Sequence, residues 1–158
     1  MYENILVPLD GSALAECVLP HVEELGRGCR VNRLTLARVV DLPGIPIVAE
    51  TGSIPMQEKL ELAREQFEAD LKREAQEYLD SVAARLKVNT AVTPVVLAGR
   101  PETCLLEYAQ SSGVDLIIIA SHGRSGISRW VWGSVADRLL RASPAPVFMV
   151  RSPGCALA

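Results

Sequence analysis

A chain of 158 residues, 49% of them hydrophobic, is long enough to bury a core and too apolar to stay disordered. Its net charge of -3 gives no long-range pull toward nucleic acid or anionic lipid. No apolar run approaches the roughly 20 residues of a membrane helix. Met1-Tyr2-Glu3-Asn4 also lacks the basic-then-apolar order of a signal peptide, so a cytoplasmic protein is expected.

Asn4 to Leu9, NILVPL, reads as a strand buried on both faces, ending at Asp10-Gly11-Ser12. Ser12 suits a helix N-cap, and Ala13 to Leu25 reads as a helix kinked at Pro20 and ended by Gly26 and Gly28. Val31 to Val40 is the second strand. Asp41 to Pro55, with three prolines and two glycines, has the composition of an exposed loop. Gln57 to Leu86 is the clearest helix. Its Leu60, Ala63, Phe67, Leu71, Ala75, Tyr78, Val82 and Leu86 paint one apolar stripe opposite a charged, solvated face.

Thr90 to Ala98 is the third strand. Gly99-Arg100-Pro101 follows, with Pro101 suited to a first helical turn, and Glu102 to Ser112 is the third helix. Leu116 to Ala120 is a fourth strand, apolar on both faces. A loop rich in glycine and serine runs from Ser121 to about Trp132. Gly133 or Ser134 opens a short helix to Ala142, and Val147 to Val150 is the last strand. Five alternations of strand and helix specify an open parallel sheet with helices on both faces, doubly wound. Ligands in such sheets sit outside the strand C-termini where the strand order reverses, between the first and fourth strands. A single domain over residues 1–152, with a short tail at 153–158, is expected.

The stretch Ala120-Ser121-His122-Gly123-Arg124-Ser125-Gly126, running on to Gly133-Ser134, leaves a buried strand and re-enters a helix. Backbone N–H groups converge on a phosphate only where no Cβ intervenes, which Gly123 and Gly126 permit. A helix start at Gly133-Ser134 adds unpaired N–H groups and a partial positive charge. Arg124 or Arg129 would supply a counter-charge. These residues fit an anion or phosphate site; an ordinary glycine-rich loop before a capped helix fits them too. The chain has no P-loop motif, no dinucleotide fingerprint and no kinase signature. Asp10 is either a ligand contact or a turn residue bonding its own backbone. His122 lacks a nucleophile at fixed spacing, and His21 sits on a helix beside Pro20. Trp130 and Trp132 either cover the site or anchor the loop. Cys17, Cys29, Cys104 and Cys155 form no C-x-x-C pair, so idle thiols are expected rather than zinc or disulfides.

The same stretch resembles the ATP-binding loop of universal stress proteins, G-x2-G-x9-G-[ST]. Ala120 takes the first position, Gly123 the second, and Gly133-Ser134 closes the motif after nine residues. Ile5 to Ser12, Gly99-Arg100-Pro101 and Pro146 to Arg151 resemble the family's other motifs, in order. The one departure is Ala120 for glycine. The resemblance implies an adenine nucleotide alpha hydrolase-like sheet of order 3-2-1-4-5. It implies a base pocket lined by Pro8 and Val39 with Ile119 and Ala120 beside it, and Leu9 among the nucleotide-binding residues. Asp10 would reach the ribose, or a metal through water. Gly123, Arg124, Gly133, Ser134 and Val135 would hold the phosphates, with Mg²⁺ or Mn²⁺ on the triphosphate. It also implies a homodimer paired through Val147 to Val150. The expected function is an ATP-binding regulatory protein of the stress response. The alternatives are a slow ATPase or phosphotransferase using Asp10 or His122, and a dimeric interaction module without nucleotide.

Overall fold

The computed structural model describes residues 2–41, 54–121 and 134–151, with side chains in the long helix from residue 58 onward. Five parallel strands form one sheet in the order β3-β2-β1-β4-β5, as expected: β1 Asn4–Pro8, β2 Arg33–Val40, β3 Ala91–Ala98, β4 Leu116–Ser121 and β5 Val147–Arg151. The helices are α1 Leu19–Gly28, α2 Ile54–Arg85, α3 Pro101–Ser111 and α4 Ser134–Ala142. None among the described residues is long and apolar enough to cross a membrane.

Strand side chains alternate across the sheet, and this divides the core in two. Ile5, Val7, Leu34, Leu36 and Ile118 pack with Val22 of α1 and Leu79 and Val82 of α2. Leu6, Ala37, Ile117 and Ile119 pack on the other face with Leu105 and Ala109 of α3 and Ala136 and Leu139 of α4. Every residue of β4 is buried, because helices cover the central strand on both sides. The strand is tied at its start by Asp115. Its carboxylate accepts Glu3 N at 2.7 Å and Asn4 N at 3.1 Å, which fixes β1 beside β4.

Thr35 on β2 is wholly buried, and its hydroxyl has no hydrogen-bond partner among the described residues. A buried, unpaired hydroxyl costs stability that a methyl of the same shape does not. Thr35→Val is therefore expected to stabilise the fold by about 1 kcal/mol. Urea titration of the two proteins checks this, and a lower midpoint for the variant would refute it.

Several local expectations change. The segment after Ser12 is not one kinked helix: a 3-10 turn, Ala15–Val18, leads into α1, and Pro20 sits in the first turn of α1. Proline fits there because its missing N–H would have no partner in the first turn anyway. The Ser12 hydroxyl accepts Ala15 N at 3.1 Å, so it caps the 3-10 turn. Gly26 and Gly28 lie within α1 rather than beyond its end. Ile54 and Pro55, read as loop, open α2; the rest of the expected loop beyond Asp41 lies outside the described residues.

The apolar stripe of α2 is only half covered. Ala75, Leu79 and Val82 are fully buried, whereas Leu60 is 47% and Phe67 50% exposed. A helix of 32 residues runs about 48 Å, while the eight residues of β2 span about 26 Å. The sheet is too short to cover the whole helix. Of the described cysteines, Cys29 and Cys104 are free but Cys17 is disulfide-bonded, contrary to the expectation of idle thiols.

Candidate functional site at the strand carboxyl ends

The two central strands part company partway up. β1 pairs with β2 along its whole length, from Asn4↔Arg33 to Pro8↔Ala37. It pairs with β4 only at Ile5↔Leu116 and Leu6↔Ile117. Pro8 gives the reason. Leu9 N donates to Ala37 O on β2 at 2.8 Å, so the nitrogen of the preceding residue faces β4. At Pro8 that nitrogen carries no hydrogen and cannot extend the ladder. A crevice therefore opens between the carboxyl ends of β1 and β4, where the strand order reverses.

On one side of the crevice lie Pro8 and the β1 turn. Pro8 is buried and Asp10 is exposed. The Asp10 carboxylate accepts Ser12 N at 2.8 Å, so the residue does act on its own turn. Gly11 has φ of 89°, a conformation that only glycine adopts without strain. The Arg38 guanidinium lies against it: a Cβ on Gly11 would stand 3.3 Å from Arg38 Cζ and 3.4 Å from both terminal nitrogens. Arg38 in turn sits 5.2 Å from the centre of the Tyr78 ring and 3.6 Å from the Glu74 carboxylate. Burial, then the Glu16 and Asp10 carboxylates, hold the Tyr78 phenol above its ordinary range, with Arg38 opposing them. Tyr78 is therefore a neutral ring throughout the physiological range.

The sequence-derived residues fall into three groups. Val39, Ile119 and Val135 come together in the α3/α4 core, and Val39 and Val135 are only partly buried there. Pro8 follows Leu6 by two positions and so shares that face. These four make an apolar wall at the crevice. Leu9 and Ala120 pack into the core of the opposite face, so only their backbones remain for a ligand. Ser134 is exposed at the first turn of α4, where backbone N–H groups have no partner within the helix. Gly123, Arg124 and Gly133 lie outside the described residues, as do His122, Arg129, Trp130 and Trp132. His21 meets the Phe148 ring edge-on at 5.7 Å, near β5 rather than in the crevice.

The described residues thus bring an apolar wall, a carboxylate turn and the first turn of α4 to the carboxyl ends of the strands. No group of three His, Cys, Asp or Glu able to hold a metal ion occurs among the described residues.

Arg38 and Tyr78 were not singled out as site residues. The available signal was a charged residue inside an apolar strand, Leu36-Ala37-Arg38-Val39-Val40. The motif Gly99-Arg100-Pro101 has a local explanation. Gly99 has φ of 132°, and a Cβ there would come within 3.0 Å of Cys104 Sγ. Burial pushes the Cys104 thiol up from its ordinary range. Pro101 begins α3, as expected.

The universal stress protein family model matches residues 1–151. Universal stress protein MJ0577 of Methanocaldococcus jannaschii is 29% identical over 156 residues, covering 96% of both chains. Its solved structure superposes with a TM-score of 0.75 at 26% identity, over 96% of each chain. A universal stress protein in complex with cAMP gives a TM-score of 0.57 at 21% identity, over 94% of this chain and 96% of that one. A family protein from Arabidopsis thaliana with AMP bound gives 0.57 at 11% identity, over 94% and 91%. At the last two identities the likeness is one of fold.

Proposed function

Because the chain belongs to the universal stress protein family, we propose that it binds an adenine nucleotide, ATP foremost, in the crevice between β1 and β4. The observation that carries this reading is the ladder stopped at Pro8, which opens the sheet where the apolar wall of Val39, Ile119 and Val135 meets the Asp10 turn. The adenine packs on that wall. The ribose lies near Asp10, and the phosphates lie toward Ser134 and the glycine-rich stretch from Gly123 to Gly133. Mg²⁺ or Mn²⁺ is held through the phosphates, with Asp10 as a second contact. Support comes from the two structural neighbours solved with cAMP and AMP.

The protein acts as a regulator rather than a catalyst in this reading, with the Asp10 carboxylate bonded to its own turn. A homodimer formed through β5 belongs to the same proposal. β5 is an edge strand with Phe148 40% exposed, and an uncovered apolar edge invites a partner strand.

The test is direct. The purified protein is denatured and the released small molecules are separated and weighed by mass spectrometry. Its melting temperature is then followed with ATP, ADP, AMP and cAMP, each with Mg²⁺. Co-purified adenine nucleotide, or a saturable rise in melting temperature with any of them, is the expected result. Neither, with the fold intact, would remove the nucleotide reading.

A further inference from the structure

Resting on the nucleotide reading above, we infer that Arg38 is a positioning residue: its guanidinium, lying face-on beneath Gly11 and held by Tyr78 and Glu74 of α2, fixes the Asp10 turn in the shape that receives the ribose and the phosphate-borne cation of the nucleotide.

Three observations meet here. The near-equal distances from a Gly11 Cβ position to Arg38 Cζ and both terminal nitrogens, 3.3, 3.4 and 3.4 Å, mean that the guanidinium presents its face to the turn. Only a planar cation makes that contact; an ammonium on a flexible stem has no such face. Second, Arg38 belongs to β2 and points to the α2 side, because its neighbours Ala37 and Val39 belong to the α3/α4 core. It therefore lies across the sheet from the apolar wall and does not line it. Third, the side chain is itself restrained, by the Tyr78 ring at 5.2 Å and by Glu74 at 3.6 Å. Glu74 is 70% exposed, so its ion pair adds little, and the ring is the stronger restraint.

The consequence is a chain of contacts from α2 through β2 to the turn after β1. Gly11 is in the left-handed region and would sample other conformations if the space beneath it emptied. Asp10 and Ser12 are joined across Gly11 by the 2.8 Å bond from Ser12 N to Asp10 Oδ1. When the turn loosens, that carboxylate loses its fixed place at the rim, and a ligand must spend binding free energy to restore it.

The experiment uses the full chain with Arg38→Met and Arg38→Lys, at a temperature where circular dichroism shows both folded. Affinities for ATP with Mg²⁺ and for adenine are measured by calorimetry, and exchange of the Ser12 amide by NMR without ligand. Arg38→Met is expected to weaken ATP about tenfold, the scale seen when a residue supporting a ligand contact is removed. Adenine, held by the apolar wall on the opposite face, should change by less than about twofold. Ser12 exchange should quicken, and Arg38→Lys should fall between the two proteins. Unchanged ATP affinity, or equal loss of ATP and adenine, overturns the role of Arg38. If the parent protein binds neither ligand, the nucleotide reading fails by itself. Ser12 exchange then decides alone: faster in Arg38→Met sustains the positioning role, and unchanged exchange removes it.

Discussion

Leu79→Ala is expected to lower stability by about 3 kcal/mol, while Phe67→Ala, on the same helix, changes it by less than about 0.5 kcal/mol. Leu79 is fully buried between α2 and the sheet and packs in one cluster with Ile5, Val7, Leu34 and Leu36. Removing three carbons there loses transfer free energy and leaves a cavity in a close-packed core. Phe67 is half exposed beyond the end of the sheet and has little to lose. For a domain of this size the first change should lower the melting temperature by about 9 °C. Calorimetry on the two variants tests the split. Equal losses at both positions would mean that the first half of α2 is covered after all.

The second large effect concerns binding. At a free nucleotide concentration one hundred times Kd, the folded protein should gain about 2.7 kcal/mol, because ligand binds the native state alone. Gly123→Val is expected to abolish that gain. On the nucleotide reading, a branched side chain at the second glycine of the G-x2-G-x9-G-[ST]-like stretch would fill the space a phosphate needs beside the backbone N–H groups. The stability of the variant without nucleotide should stay near that of the parent, which separates lost binding from lost folding. Melting curves with and without ATP and Mg²⁺ give both quantities. A shift of unaltered size in Gly123→Val would move the phosphates away from this stretch.

Much of this was legible from the chain because its signals are local. Pro101 after Gly99-Arg100 started a helix where the fixed φ of proline suits one. The short, wholly apolar Leu116-Ile117-Ile118-Ile119-Ala120 became a strand buried on both faces. Five such alternations, with right-handed crossovers, leave few sheets to choose from, and the family motifs selected the order that is found. Proline in the helix after Ser12 was misplaced because the same residue kinks a helix from inside and favours its first turn. Which of these happens depends on where the backbone becomes α-helical, and here a 3-10 turn delays it to Leu19.

By itself, then, the sequence determined most of the elements and their parallel arrangement, since periodicity and turn composition are properties of neighbouring residues. Tertiary structure alone decided which of those residues share a face. Leu9 and Val39 were read together as nucleotide-binding residues, yet they pack on opposite sides of the sheet. It alone decided how far α2 outruns the strands, and it alone brought Arg38 beneath Gly11, 27 positions away in the chain. Such contacts depend on the lengths and registers of separate elements, and no local pattern along one chain encodes the distance between two of them.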